Sequence, residues 1–387
     1  MVSGQSPDPA KRRIDVAAAI GYGICAVAIL SLQPLAFGPL VEAGWLSESR
    51  LGEIAGLETA GLALTSAILP GWLTGNFFRL KLAVLAALIV ACNVATPYAG
   101  YSTGLLLVRL LCGLAEGGVL AGAFVVLFHT GNPDRMNALF LAVSNTVIAI
   151  VSYIIPTVIL PVYGTPGPFM LMAGLGLFGL VMIFAVGHKP EAMAAPVSSW
   201  RSWPFATWLV LLGIILQNAG VLSAWVFLES TARAANLGAQ PLALSASLGI
   251  LAQVAGATAI ALVGYRLPSG KSLMIGSSML AGAIYWLGHP MGAVSFVLAN
   301  VLMGACWLAL LPLSIKLICE IERKHHALYL TAAAQMVGLS IGPLVSSLFV
   351  SEQSVEPAYL VGFGMAVLAV IALGLAANSP DRIRRTH

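Results

Sequence analysis

The feature that most constrains this chain is a series of apolar stretches, each long enough to cross a lipid bilayer as a helix. A bilayer core needs about 20 apolar residues in helical form. Six such stretches precede a polar segment and six follow it. They cover residues 15–41, 50–74, 81–99, 103–129, 135–161, 166–187, 205–231, 240–264, 271–288, 290–318, 325–350 and 357–377. The sequence therefore predicts an all-α integral membrane protein with twelve transmembrane helices.

Composition excludes an ordinary soluble fold. Of the 387 residues 59% are hydrophobic and 9% are charged, whereas a soluble domain carries about 25% charged residues. The mean hydropathy is +0.93. The apolar stretch that follows Arg13 is longer than a signal-peptide core of roughly 7–15 residues. We therefore expect this stretch to be retained as the first membrane helix.

The positions of Lys and Arg predict the orientation. With the N-terminus in the cytoplasm, sixteen of the nineteen basic residues fall in cytoplasmic segments, Arg50 and Arg233 fall on the opposite side, and Arg109 lies within the membrane. Basic residues concentrate in the cytoplasmic loops of membrane proteins. We expect a multi-pass protein of the cytoplasmic (inner) membrane with both termini in the cytoplasm.

The two halves of the chain align with each other at a nearly constant offset in residue number. The segment RMNALFLAVSN (135–145) matches KHHALYLTAAAQ (324–335). At a similar offset, three residues of the fourth stretch stand opposite three of the tenth, namely Arg109, Gly113 and Glu116 opposite Asn300, Gly304 and Trp307. The common offset indicates a duplicated six-helix unit. Transporters built from such repeats bind substrate near the midplane between them.

This duplication predicts an N-terminal six-helix bundle over 1–187, a cytoplasmic linker over 188–204 and a C-terminal six-helix bundle over 205–387. Twelve helices in two related halves resemble the major facilitator superfamily. The signature loop of that family is similar to GWLTGNFFRLK (71–81), although Gly75-Asn76 replaces its acidic part. The resemblance covers nearly the whole chain. It implies two pseudo-symmetric bundles and solute transport by alternating access.

One membrane stretch, VRLLCGLAEGGVLAG (108–122), contains a cation and an anion. Arg109 and Glu116 project from one helix face because seven residues complete nearly two turns, and Gly113 leaves space beside them. The pattern resembles helix 4 of organic-anion/proton symporters of the sialin and galactonate type, and spinster-type lipid transporters carry a similar one. Ionisable groups at membrane depth are costly and mark functional sites.

We expect Arg109 to attract a substrate carboxylate and Glu116 to carry the coupling proton, with Glu58 of helix 2 as the third member of the proton-coupling network. The alternative for Arg109 and Glu116 is a structural ion pair that fixes helix packing. Glu58 is either a direct partner of Arg109 or a gate residue between the halves. Glu229 is either a gate at the outer mouth or solvated.

Neutral polar and aromatic residues near the midplane predict the rest of the cavity wall. A buried amide in lipid is costly unless it is paired, so each amide either binds substrate or bridges helices. Each aromatic residue packs either on substrate or in the core. Besides Arg109, the predicted substrate-binding residues are Gln33, Asn145, Tyr153, Gln217, Asn218, Trp225, Asn300, Trp307 and Gln335.

The predicted function is proton-coupled secondary transport of a small organic anion, a carboxylate. Export of an amphiphilic, drug-like or lipid-like compound is the first alternative, and a non-transporting receptor or scaffold is the second. The sequence has no GxxxxGK[ST] motif, no Ser-His-Asp grouping and no metal-like Cys or His spacing. We therefore expect no enzymatic activity, cofactor or metal. The expected partners are substrate, protons and the lipid bilayer, without nucleic acid, and the protein is expected to be a monomer.

Overall fold

The computed structural model describes residues 9–100, 103–130, 132–187, 203–289, 292–322 and 326–379. Within these ranges twelve helices are long. The N-terminal half contains α1 (Pro9–Glu42), α2 (Glu48–Ile68), α3 (Phe78–Ala95), α4 (Thr103–Thr130), α5 (Pro133–Ile154) and α6 (Gly167–Ala185). The C-terminal half contains α7 (Phe205–Trp225), α8 (Ala239–Val263), α9 (Ser269–Gly288), α10 (Ala293–Ile321), α11 (Thr331–Ser346) and α12 (Glu356–Ala377).

Each predicted membrane stretch corresponds to one of these helices. By length and composition alone, 9 helices in the described part of the chain qualify as membrane-spanning. The other three are α2, α9 and α11. α2 contains four charged residues, and α11 has only 16 residues. The outer surface carries large apolar side chains that are more than half exposed, as a lipid-facing surface requires. Examples are Val84, Val181, Leu262, Ile275 and Leu368.

Three predicted stretches are interrupted. The helix expected over 205–231 ends at Trp225, and a separate short helix follows at Leu228–Ala234. The stretch 50–74 divides at Leu69 into α2 and a short helix, Pro70–Leu73. α5 continues through a π-helical turn, Ile155–Ile159, because Pro156 has no backbone N–H to donate. Most of the predicted linker lies outside the described residues.

The duplication is visible in the positions of the helices. α2 begins at Glu48, and α8 begins 191 residues later at Ala239. α3 begins at Phe78, and α9 also begins 191 residues later, at Ser269. Two residues related by this offset are called counterparts below. The structure thus consists of two pseudo-symmetric six-helix bundles.

Counterpart glycines bring counterpart helices together. α2 packs against α4, and α8 packs against α10. A Cβ added to Gly113 would overlap the carbonyl oxygen of Glu58, and one added to Gly304 would overlap the carbonyl oxygen of Gly249. Small residues permit such close approach of membrane helices.

The two ends of the molecule are named by their loops. The first-loop end carries the connections 43–47, 235–238 and 347–355, and the termini end carries the start of α1 and the end of α12. The halves meet where α2 packs on α11, α5 packs on α8, and α1 packs on the short helix Leu228–Ala234. That short helix belongs to the first-loop end, so the halves are closed against each other there.

Candidate functional site

Arg109 is completely buried and is surrounded by residues of the N-terminal half. Its Nη2 donates a hydrogen bond to Glu58 of α2. Its Nη1 donates to Oδ1 of Asn93 and to Oγ1 of Thr96, each at 3.1 Å. The guanidinium carbon lies 5.3 Å from the centre of the Phe37 ring of α1, within cation–π range. Four helices of one half therefore surround a single cation.

Close packing of α2 on α4 places Glu58 beside Arg109. Gly113 lies one turn from Arg109, and its missing side chain lets the backbone of Glu58 approach. Asn93 and Thr96 come from the end of α3 and are one turn apart. The sequence reasoning missed both, although they are polar residues within one apolar stretch at helical spacing.

Glu116 lies two turns along α4 from Arg109 and is equally buried. Its Oε1 accepts a hydrogen bond from Sγ of Cys112 at 3.4 Å. Its Oε2 has no hydrogen-bond partner among the described residues, and the same holds for Oε2 of Glu58. Asn93 and Met172 pack around Glu116, and the gap that they line is too small to admit a water molecule. Arg109, Glu58 and Glu116, with Cys112 between them, are called the buried cluster below.

The buried cluster contains two carboxyl groups and one guanidinium. If both carboxyl groups were ionised, one negative charge would lie uncompensated in a low-dielectric interior, at a cost of several kcal/mol. One proton on either carboxyl group makes the cluster neutral. Each carboxyl group has a buried oxygen without a partner that can accept this proton.

Three residues of the buried cluster also offer metal-ligand atoms. One atom each of Glu58, Cys112 and Glu116 lies within 4.8 Å of the other two. The guanidinium of Arg109 already lies against Glu58 and supplies a positive charge to this group. A metal cation would be repelled by it, so we assign no metal to the cluster.

The predicted role of Arg109 as an anion anchor requires a change from the arrangement seen here. Both Nη atoms donate hydrogen bonds to side chains of the same half, and the residue has 0% exposure. Its Nε has no hydrogen-bond partner among the described residues but is buried as well, so a substrate carboxylate reaches this guanidinium only if the surrounding side chains move.

Most of the predicted amides bridge helices within their own half. Nε2 of Gln33 donates to the carbonyl of Ala55 at 3.2 Å, joining α1 to α2. The corresponding bonds in the C-terminal half are Gln217 to Ser277 at 2.6 Å, Asn300 to the carbonyl of Ser245 at 2.7 Å, and Trp307 to Asn218 at 2.9 Å. Three oxygen or hydroxyl groups nearby still have no partner in the described chain, namely Oε1 of Gln33, Oδ1 of Asn300 and Oγ of Ser245.

The remaining predicted residues are scattered. Asn145 is buried in α5, Gln335 is half-buried in α11, and Tyr153 is 39% exposed. Trp225 is buried at the end of α7, and its Nε1 has no partner among the residues described. Within that part of the chain no hydrogen bond joins these four residues to Arg109, so the structure does not group them with the buried cluster.

A second polar group joins the halves at the first-loop end. Arg233 of the short helix pairs with Glu48 of α2 at 2.7 Å and with Glu229 at 3.0 Å. Oγ of Ser230 donates to Glu48 at 2.8 Å. A cavity of about 650 Å³ adjoins this group, with His289 and the 352–356 segment in its wall. By contrast, Glu53 pairs with Arg50 on the surface.

Glu229 is only 7% exposed, which argues against the solvated alternative. Burial is the main reason that the pKa of Glu229 is raised to about 7, Arg233 opposes this effect, and Glu42 and Glu48 add to it. The sequence reasoning missed Arg233 and Glu48. One feature of the sequence did indicate a role for Arg233. It is a basic residue on the side of the membrane that was predicted to have few of them.

Solved structures of transporters resemble this chain over nearly its whole length. No family model and no curated protein matches it. The nucleoside transporter NupG aligns with a TM-score of 0.70 at 12% identity, covering 96% of this chain and 100% of NupG. A bacterial homologue of the human lysosomal transporter Spinster, in an inward-facing and unoccupied conformation, aligns with a TM-score of 0.72 at 13% identity, covering 98% and 99%.

An auto-inhibited peptide transporter of the POT family aligns with a TM-score of 0.66 at 15% identity, covering 94% of this chain and 96% of that one. Identities this low establish the fold alone. The chain is thus a multi-pass membrane protein with the major facilitator fold, as predicted. The resemblance of α4 to sialin- and galactonate-type symporters stays a prediction.

Proposed function

We propose that this protein is a secondary active transporter that moves a small organic anion, a carboxylate, by proton-coupled alternating access. The observation that carries the proposal is the buried cluster, in which Arg109 pairs with Glu58, Glu116 lies close by, and each carboxyl group keeps an unpartnered oxygen. The fold supports transport in general, since NupG, the Spinster homologue and the POT peptide transporter are described as transporters.

The charge balance of the cluster gives the coupling step. A proton on Glu58 removes its attraction for Arg109 and frees the guanidinium for a substrate carboxylate. With the substrate carboxylate bound to Arg109 and Glu58 protonated, an ionised Glu116 would leave one negative charge uncompensated. Glu116, two turns further along α4, therefore takes up a second proton, so that one proton enters the cluster with each anion. Proton and anion therefore bind together, which is the requirement for symport.

A second candidate function is proton-driven export of an amphiphilic or lipid-like compound. The C-terminal half favours it, because the polar residues described at membrane depth there are uncharged, as in the Asn218–Trp307 pair. A cavity with one apolar, amide-lined wall suits a molecule with a large apolar part. The Spinster homologue also shares the fold.

The topology is part of the proposal. The first-loop end faces away from the cytoplasm, the termini lie in the cytoplasm, and the membrane is the inner membrane. Residues 1–187 and 205–387 form the two units that move relative to each other, with 188–204 as the linker. A monomer contains the complete buried cluster and both halves of the cavity.

Reconstitution into liposomes tests the coupling. Vesicles loaded with a pH-sensitive dye are given radiolabelled gluconate, succinate or citrate, or a fluorescent lysophospholipid as the amphiphilic probe. An inside-alkaline pH gradient should drive accumulation of at least one carboxylate together with dye acidification. Accumulation that is the same with and without the pH gradient would falsify proton coupling. If the gradient drives movement of the lysophospholipid but of no carboxylate, the second function is favoured.

A variant of the buried cluster separates coupling from folding. Glu116→Gln should abolish gradient-driven uptake but preserve exchange of labelled for unlabelled substrate. Glu53→Gln on the surface of α2 is the matched control and should behave as the unmodified protein. If Glu116→Gln loses exchange and thermal stability together, the buried cluster is a structural ion network, and the coupling role is wrong.

A further inference from the structure

The two halves meet at the first-loop end through a pair of counterpart residues. Gly38 of α1 and Glu229 of the short helix Leu228–Ala234 are related by the same offset that relates α2 to α8. A Cβ added to Gly38 would overlap the side chain of Glu229. Counterparts touch each other only where a two-fold relation brings the same surface together. Glu229 therefore lies at the centre of the contact between the halves.

Arg233 extends this contact over both halves. Its Nη2 donates to Glu48 of the N-terminal half at 2.7 Å, and its Nη1 donates to Glu229 at 3.0 Å and to the carbonyl of Gly38 at 3.4 Å. Two further bonds cross the same boundary, from Ser230 to Glu48 at 2.8 Å and from Ser49 to the carbonyl of Ser347 at 2.7 Å.

We propose that Glu229, Glu48 and Arg233 form a proton-binding latch that holds the two halves together at the first-loop end, separate from the buried cluster. The latch depends on the proposed function in one respect, because alternating access requires the two halves to separate at the first-loop end. Its opening would expose Glu229 and Glu48 to water and widen the adjoining cavity of about 650 Å³.

The charged groups around Glu229 give the latch its dependence on pH. Glu48 faces it from α2, Glu42 from the end of α1, and Arg233 from its own helix. Glu352, from the segment before α12, adds a further negative charge beside Glu48. Two carboxyl groups thus pair with one guanidinium, and two more add negative charge nearby. A proton on Glu229 removes one of the repulsive charges from the contact between the halves.

Whether low or high pH favours closure follows from the direction in which the pKa of Glu229 is shifted. Burial raises the pKa of Glu229 to about 7 in the closed arrangement, whereas a carboxyl group in water has a pKa of about 4.3. The closed arrangement therefore binds the proton more tightly than the open one. Proton binding by Glu229 therefore stabilises the closed arrangement relative to the open one. This stabilisation is complete below about pH 4.3, declines as pH rises and is lost once pH has passed through about 7.

Distances between spin labels test the latch without a substrate. Ala43 and Gln353 are exposed at the first-loop end, one in each half, and are replaced by cysteine for labelling. The native Cys319 is changed to serine because it is only half-buried, while the other four cysteines are buried. The short, closed distance should predominate at pH 5.5 and fall several-fold in population at pH 8.5.

Four variants separate the latch from other proton sites. Glu229→Gln should hold the closed population high at both pH values, and Arg233→Gln should reduce it at both. Glu229→Asp keeps a titrating group and should retain the pH response. Glu116→Gln should also retain it, because the buried cluster is separate, so failure of the proposed coupling leaves this test intact.

Glu53→Gln is the matched control, because Glu53 lies in α2 near Glu48 but on the surface. This variant should leave the pH response unchanged. A pH response that persists in Glu229→Gln overturns the proposal. So does a closed population that is the same at both pH values in the unmodified protein.

Discussion

At the place where the N-terminal half holds an ion pair, the C-terminal half holds an amide against a glycine. Asn300 and Gly249 are the counterparts of Arg109 and Glu58. A Cβ on Gly249 would lie 2.6 Å from Nδ2 of Asn300, so the glycine provides the space that the amide fills. Ile284, the counterpart of Asn93, is a buried apolar residue.

The comparison separates packing from charge. Gly113 and Gly304 bring the paired helices together in the same way in both halves. Among the residues described in α8 and α10, the C-terminal half achieves this contact without a charged residue at the corresponding depth. Helix packing in this fold therefore does not require the Arg109–Glu58 pair, which supports a functional role for the charges in the N-terminal half.

The largest expected difference between the halves comes from removing the central polar residue of each. Arg109→Met leaves Glu58 and Glu116 buried without a cation and should cost about 3–5 kcal/mol of stability. Asn300→Ala removes one hydrogen bond to a carbonyl and should cost about 1 kcal/mol. Denaturant unfolding in detergent measures both. Equal losses would contradict the view that only one half contains a charged centre.

The glycine contacts should instead respond alike in both halves. Gly113→Ala and Gly304→Ala each force a Cβ into a facing carbonyl oxygen, and each should cost about 1–3 kcal/mol through strained packing. Gly174→Ala and Gly364→Ala are the controls, because nothing lies within 4 Å of their Cβ positions. Thermal unfolding of the four variants would show whether the two contacts are equivalent.

Trp307 offers a smaller test, since it is the counterpart of Glu116. Trp307→Phe keeps an aromatic ring but removes the hydrogen bond to Asn218, which should cost about 1 kcal/mol. Gradient-driven uptake should persist, whereas Glu116→Gln should lose it. A loss of proton coupling in Trp307→Phe would mean that the coupling machinery extends into the second half.

The exposed ion pairs should matter least. Arg50–Glu53 is a solvent-accessible ion pair, and His289 and Glu356 form an exposed polar contact; such surface pairs contribute about 0–1 kcal/mol. Glu53→Gln and Glu356→Gln should therefore change the unfolding midpoint little, by amounts that fall further at high salt. A loss comparable to that of Arg109→Met would require a role beyond surface pairing.

The helices were predictable from the sequence because bilayer thickness fixes their length. The predicted stretch 103–129 agrees with α4 (Thr103–Thr130) to one residue. The break after Trp225 was not predictable, since residues 226–227 are as apolar as their neighbours. The short helix Leu228–Ala234 that follows the break packs on α1 of the other half, and such tertiary contacts leave no local signal.

The buried cluster was only partly predictable. Helical spacing placed Arg109 and Glu116 on one face, but the hydrogen-bond partner of Arg109 depends on how deeply α2 packs on α4. Gly113 fixes that depth, and Glu58 is the carboxyl group brought to the guanidinium. The contacts of Arg233 were only partly predictable for a similar reason, because two of its partners, Glu48 and Gly38, come from the other half.

The contact of Gly38 with Glu229 has a consequence for the history of the chain. In an ancestral dimer of identical halves, the same residue would face its own copy at this axis. Two glutamates there would repel each other, and two glycines would leave a hole. A glycine facing a glutamate requires that the two copies are encoded separately, so that each can change alone. This contact therefore dates from after the duplication of the six-helix unit.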